Sequence, residues 1–241
     1  MHATETFALE PPTDADLSTA LAAWNKGGVI YTLDPDTQWW RTLKADSVAE
    51  ARVFASTWYP SPTAGRFSPV REHGDIVPSA YAGKTRATSL WEAILRNVRH
   101  EGIRRVPEHE VRNRYLVSVT AHRPLQLLDI RRPRDAQLVT PGKRPPDLTA
   151  AWPKGYPLTA AWAQALRDRI PALDGIVYES HQVGSICAVF YKRSAHIEPL
   201  FDVTHDPQLV TRPPIRRLLL EEGQKAGVAV DFGDDSVESG P

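Results

Sequence analysis

Apolar residues recur at helical spacing in some stretches of the chain and crowd into short runs in others. Leu17, Leu21, Ala22 and Trp24 form a stripe that predicts a helix over 15–26, capped by Asp14 or Asp16 and ended by Gly27-Gly28. VIYTL (29–33) reads as a short strand, and a second helical stretch follows around 46–55. The segment 58–80 is too rich in Pro, Gly and Ser for long regular structure. It ends at Tyr81-Ala82, before a helix whose apolar face is Ala87, Leu90, Trp91, Ile94, Leu95 and Val98. The polar stretch 99–113 is expected to be an exposed loop, and RYLVSVTA (114–121) and LQLLDI (125–130) are expected to be strands. A Pro-rich loop or insertion spans 132–158, of the length that often carries function. TAAWAQALRDR (159–169) reads as a helix capped by Thr159. Asp174-Gly175 turns into the strand IVYES (176–180), and Gly184 marks a second turn before ICAVFY (186–191). A short helix near 215–225 and the acidic end DFGDDSVESGP are read as peripheral.

Hairpin-like strand pairs with separate helices make this an α+β pattern rather than a regular βαβ series, without internal repeats. The length suits one well-cored domain with extended ends: a tail and helix over 1–28, a main domain over 29–212, and a C-terminal helix with an acidic tail over 213–241.

Charge narrows the functions. Lys+Arg and Asp+Glu balance at 29 each, so no global field favours nucleic acid or an anionic membrane. The basic stretches 99–114 and 131–144 lack interleaved aromatics and read as solvated loops. The single cysteine, Cys187, lies in an apolar strand and reads as an inert buried thiol; no intrachain disulfide can form, which suits a reducing compartment. The N-terminus has neither the basic region nor the apolar core of a secretory signal, and no apolar run approaches the roughly 20 residues of a membrane span. A soluble, cytoplasmic protein is the expectation. The eight histidines show no metal-binding spacing, so no metal site is expected. There is no G-x-S-x-G elbow, no Rossmann fingerprint and no P-loop.

Three segments remain: GRFSP (65–69), YAGKTRATSLWEAIL (81–95) and DGIVYESHQVGSICAVFY (174–191). Their order, and the spacing of eleven between Tyr81 and Glu92, resemble the RES domain family, named for an Arg, a Glu and a Ser. Gly65-Arg66-Phe67 supplies the first motif, Tyr81-Ala82 the second, Glu92 the third, and Asp174-Gly175-Ile176 through Tyr178 and Ser180 the last. The resemblance implies a compact fold similar to ADP-ribosyltransferases, with small antiparallel or mixed sheets and flanking helices. It implies an enzyme that cleaves the nicotinamide–ribose bond of NAD with water or phosphate, an NAD glycohydrolase or phosphorylase, with NAD as substrate and no cofactor. It further implies the toxin of a toxin–antitoxin pair, whose antitoxin carries a helix-turn-helix domain, and it allows a homo-oligomer. On this reading 29–212 is the catalytic domain. Glu92, Arg66 and Ser180 are the catalytic candidates, and Arg66, Tyr81, Ser180 and Arg41 the NAD-binding ones.

The residue chemistry fits that expectation. A guanidinium such as Arg66 matches the bidentate needs of a pyrophosphate. An aromatic face such as Tyr81 can stack on a flat cationic nicotinamide. Bond cleavage builds positive charge on the ribose, which a carboxylate such as Glu92 can stabilise. Ser180 can donate to a ribose or phosphate oxygen.

Each residue also has a plainer reading. Arg66 could pair with a surface acid, Tyr81 could be a core residue, and Ser180 could decorate a turn. Ser89-Leu90-Trp91-Glu92 fits an S-x-x-E capping box, although the apolar stripe already begins at Ala87. Glu179 and His181 alternate with Ser180 and are expected to be solvated. The family's upstream Arg corresponds either to Trp39-Trp40-Arg41 or to Ile30-Tyr31-Thr32, where Thr32 would replace it. Two other functions stay open: ADP-ribosyl transfer to a macromolecular acceptor, and an inactive module that binds a nucleotide or a partner.

Overall fold

A computed structural model describes residues 10–57, 65–96, 98, 103–131, 148–149, 155–180, 183–192 and 199–233. In chain order the elements are helix α1 (Asp14–Asn25), strands β1 (Ile30–Leu33) and β2 (Trp39–Lys44), helix α2 (Val48–Ser56), and strands β3 (Val70–Glu72), β4 (Asp75–Val77) and β5 (Ser79–Gly83). Helix α3 (Arg86–Leu90) continues into a π-helical turn (Trp91–Leu95). Then come β6 (Arg105–Val106), α4 (Glu108–Val111), β7 (Arg114–Ala121), β8 (Leu125–Asp129), α5 (Tyr156–Arg169), β9 (Gly175–Glu179), β10 (Ile186–Tyr191), β11 (Phe201–Val203), β12 (Gln208–Leu209), α6 (Ile215–Lys225) and β13 (Ala229–Val230). The α+β reading holds. The chain divides into two compact units, the first built from 1–37, 58–81 and 121–200, the second from 38–57, 82–120 and 201–241.

The first unit carries the strand order β1-β8-β9-β10. β1 pairs antiparallel with β8, β8 parallel with β9 through the crossover helix α5, and β9 antiparallel with β10. Alternation puts Ile176, Tyr178, Cys187, Val189 and Tyr191 on one face, where they share a core with Leu17, Ala20, Trp162, Ala163 and Leu166 of the paired helices α1 and α5. Val177, Ala188 and Phe190, on the other face, are fully buried too, which explains why these strands read as continuous apolar runs.

Asp174 and Gly175 staple this sheet. The buried Asp174 carboxylate accepts from the Gln126 amide at 2.9 Å and from Arg123 Nη2 at 3.0 Å. A Cβ on Gly175 would lie 2.1 Å from the Val189 carbonyl oxygen, so only glycine lets β10 approach. Gly175→Ala is therefore expected to destabilise the protein by about 3 kcal/mol, the upper end of overpacking effects. Urea unfolding checks this, with the midpoint falling and the slope unchanged.

In the second unit β2 pairs antiparallel with β7, and its Trp40 also meets Gly83 at the end of β5. β7 carries β11 and β12 on its other side. α2 packs on one face of β2 and on β11, while α3 packs on β2 and against α6.

Several expectations need correction. The cap of α1 is Thr13, in a capping box with Asp16, rather than Asp14 or Asp16 alone. α5 begins at Tyr156, and the hydroxyl of Thr159 bonds back to the Tyr156 carbonyl inside the helix at 3.1 Å instead of capping it. The supposed loop 99–113 contains β6 and α4, with Val106 and Val111 buried. α6 is not peripheral, since Ile215, Leu219 and Glu222 are buried. The expectations for 1–9, for most of 132–154, for His181 and for the acidic end from 234 lie outside the described residues.

Candidate functional site

Arg66 follows a tight bridge in which the Gly65 amide donates to the Ser68 carbonyl at 2.8 Å. A Cβ on Gly65 would sit 2.8 Å from Ser68 Oγ and 2.9 Å from Tyr81 Oη, so any larger residue before the arginine would push these two side chains aside. Tyrosines from three strands hold this segment. The Tyr81 hydroxyl, from β5, accepts from the Phe67 amide at 3.1 Å and bonds to Ser68 Oγ at 3.0 Å. The Tyr191 hydroxyl, from β10, donates to the Phe67 carbonyl at 2.9 Å. Burial, and secondarily Tyr81, push the Tyr191 pKa well above its ordinary value while Arg167 pulls it down, so Tyr191 stays a neutral donor. Tyr178, from β9, takes the Arg66 guanidinium over its ring at 5.5 Å and the Phe67 ring edge-on at 5.2 Å. Arg66 is only 3% exposed. Arg66 and Tyr81 are thus brought into one cluster. Tyr178 lay in a recognised motif, but its service to Arg66 and that of Tyr191 had no sequence signal beyond strand alternation.

Ser180 leaves β9 two residues after Tyr178 and is buried. Its amide donates to the Ser185 carbonyl at 2.7 Å and its carbonyl accepts from the Gly184 amide at 2.9 Å. Gly184, at φ 59°, makes this tight turn possible, as expected from sequence. Glu179 is exposed, as expected.

Glu92 lies in the second unit, on the π-helical turn. The helix starts at Thr85, whose hydroxyl accepts from the Thr88 amide at 3.1 Å. The capping-box alternative for Glu92 therefore fails: Ser89 is inside the helix, with its hydroxyl on Thr42 Oγ1 at 2.8 Å. Glu92 Oε2 accepts from Arg96 Nη1 at 3.4 Å, one turn on, and both side chains are largely buried. π turns inside α-helices are rare and often stand at functional sites.

Arg41, on β2, is buried and faces α2. Its Nη1 lies among the carbonyls of Phe54 (3.1 Å), Ala55 and Thr57 (3.2 Å), the acceptors left open where α2 ends. Its guanidinium also lies over the Phe201 ring at 5.7 Å. Burial pushes its pKa down to about 10, so it remains a cation at neutral pH. Strand alternation sends Trp40 and Thr42 to the opposite face, toward Arg86 and Ser89 of α3. Arg41 therefore does not join Glu92 across β2. Thr32, the other upstream candidate, is exposed on β1 with its hydroxyl on Gln126 at 3.4 Å.

Among the described residues no group of His, Cys, Asp or Glu could hold a metal ion, and no helix is long and apolar enough to cross a membrane. Cys187 is buried, as expected. A cavity of about 670 Å³ in the second unit is lined by Ile94, Val98, Val106, His109 and Arg114 among others; Glu92 and Arg41 are not part of its lining.

No curated protein matches the chain. Its structure is similar to a chain in the crystal structure of the M. tuberculosis MbcT–MbcA toxin–antitoxin complex, with a TM-score of 0.53 over 86% of this chain and 98% of that one, at 14% sequence identity. That likeness shows a shared fold. The RES domain model matches residues 38–210, well over half the length, and spans Arg41, Arg66, Tyr81, Glu92 and Ser180. The chain belongs to the RES domain family.

Proposed function

We propose that this chain is an enzyme that cleaves the nicotinamide–ribose bond of NAD, as a glycohydrolase or phosphorylase, and serves as the toxin of a toxin–antitoxin pair. The observation that carries the reading is the way three tyrosines hold the Arg66 segment, Tyr178 under the guanidinium and Tyr81 and Tyr191 on the adjoining Phe67. A guanidinium over an aromatic ring, next to a Phe67 whose N–H and C=O are both hydrogen-bonded to tyrosine hydroxyls, is preorganised to receive a pyrophosphate. Family membership and the fold shared with a chain of a toxin–antitoxin complex support the same reading.

In this mechanism Arg66 neutralises the diphosphate and the half-buried ring of Tyr81 borders the nicotinamide. Ser180 donates to a ribose or phosphate oxygen. Glu92 stabilises the cationic sugar that forms as nicotinamide leaves. Water or phosphate then adds to the anomeric carbon, which needs positioning rather than a covalent intermediate. Arg41 contributes from behind β2, by closing α2. An ADP-ribosyltransferase-like fold, a catalytic domain over 29–212, a cytoplasmic setting and an antitoxin with a helix-turn-helix domain belong to the same proposal.

The test is direct. The purified protein is incubated with NAD, with and without phosphate, and the products are followed by mass spectrometry. Free nicotinamide with ADP-ribose, or with ADP-ribose 1″-phosphate, is the expected result. Intact NAD under both conditions would overturn it.

A further inference from the structure

The π turn that carries Glu92 is held by a helix outside the family-matched segment. The turn closes when the Arg96 amide donates to the Trp91 carbonyl at 2.8 Å, the wide spacing that defines it. Such turns have poor intrinsic geometry and persist where tertiary contacts hold them. Here the contact is the indole: Trp91 Nε1 donates to Glu222 Oε2, on α6, at 2.9 Å. Trp91 is buried, and a buried indole N–H requires an acceptor. The other carboxylate oxygen of Glu222 accepts from Lys225 Nζ at 2.6 Å. Burial alone would raise the Glu222 pKa, but the hydrogen bonds from Lys225 and Trp91, together with the Lys225 charge, hold it below its ordinary value. α6 is itself well seated, with Ile215 and Leu219 buried and with Gly223 close against the Val228 carbonyl. β13 then pairs with β6, closing the layer.

Consecutive side chains on one helical turn project at a set angle to each other around its axis. Fixing the indole of Trp91 therefore fixes the direction in which Glu92 projects. From this we infer that Glu222 is a positioning residue for Glu92, acting through Trp91, so that a C-terminal helix beyond the RES match sets the orientation of the carboxylate. The inference deepens, and rests on, the reading of Glu92 as the charge-stabilising group.

Glu222→Leu removes the acceptor at similar size, while Glu222→Gln keeps a carbonyl oxygen for the indole. The expected result is a fall in kcat for NAD on the order of tenfold in Glu222→Leu, with KM little changed and most of the loss recovered in Glu222→Gln. Trp91→Phe should reproduce the loss, and combining it with Glu222→Leu should add little. Hydrogen exchange of the Arg96 amide reports the π turn without reference to activity. It should accelerate in Glu222→Leu and Trp91→Phe, and not in Glu222→Gln. Unchanged kcat in Glu222→Leu, equal losses in the Leu and Gln variants, or a change confined to KM would overturn the inference. If the wild-type protein leaves NAD intact, the NAD reading fails, and exchange alone then decides whether Glu222 governs the turn: unaltered exchange sinks the inference. Should Glu222→Leu fail to fold, Trp91→Phe carries both measurements.

Discussion

Glu92→Gln is expected to lower kcat for NAD cleavage by about 10²–10³-fold while leaving KM nearly unchanged. Departure of nicotinamide turns a charge on the pyridinium into a charge on the ribose. A carboxylate about 4 Å from that sugar, at the effective dielectric of a protein site, contributes roughly 4 kcal/mol. The amide keeps the shape and the ability to accept a hydrogen bond but supplies only a dipole, and about 4 kcal/mol corresponds to about three decades in rate. Binding of the rest of NAD is assigned to Arg66, Tyr81 and Ser180, so the ground state should be little affected. Stability should fall too, because the carboxylate gives up its ion pair with Arg96, at 3.4 Å, between two largely buried side chains. Nicotinamide release under saturating NAD, beside a thermal melt of the same preparation, checks both halves. Full activity in Glu92→Gln would remove Glu92 from the chemistry and leave the π turn unexplained.

Much of the fold was legible because periodicity follows burial. β7, β9 and β10 are buried across both faces and read as continuous apolar runs, while α5 buries Ala160, Trp162, Ala163 and Leu166 on one stripe. What misled was local chemistry that only tertiary contacts resolve. α6 buries Ile215 and Leu219, but periodicity could not show that its Glu222 carboxylate meets an indole more than a hundred positions earlier. The stretch 99–113 is polar in sequence, yet Val106 and Val111 tie its described part into the unit. β2 was visible only as a candidate motif, because WWRTLK mixes aromatic, charged and polar residues on both of its faces. Each face has its own use: Trp40 and Thr42 meet α3, and Arg41 meets α2.

The candidate site was legible as residue types and order, not as roles. Gly65 before Arg66 was legible as part of a motif, and the structure supplies a reason for glycine there in the crowding by the Ser68 and Tyr81 side chains. No pattern could have announced that the Tyr81 hydroxyl is spent on the Phe67 amide, or that Tyr191 takes the carbonyl of the same residue. Both are hydrogen bonds between segments distant in the chain, and spacing rules see only neighbours along a helix or strand. Asp174 was read as part of a turn; its buried carboxylate proves to be the joint between β8 and β9.

Arg41→Leu is expected to destabilise the protein by about 2–4 kcal/mol, with a smaller loss in Arg41→Lys. Exchanging a whole buried ionic cluster for apolar groups can be neutral, but here only the cation leaves. The carbonyls of Phe54, Ala55 and Thr57 stay where α2 ends, and each orphaned acceptor costs about 1–3 kcal/mol to the extent that water cannot reach it. Ala55 is fully buried, whereas Phe54 and Thr57 are partly exposed, so one carbonyl bears most of the penalty and the others a fraction. The Phe201 ring, 5.7 Å from the guanidinium, loses a further contribution of about 0.5–1 kcal/mol. A lysine keeps the charge but reaches as a point rather than a fork, and so recovers part of the loss. Urea unfolding of the wild-type, Lys and Leu proteins gives the ranking, and NAD kinetics well below the melting transition give the discrimination. A helix-closing Arg41 predicts lower stability with KM for NAD nearly unchanged. An Arg41 that grips the pyrophosphate predicts the reverse, a KM raised by roughly tenfold or more with stability intact, since a lost charge-assisted hydrogen bond contributes about 1.5–3 kcal/mol to binding.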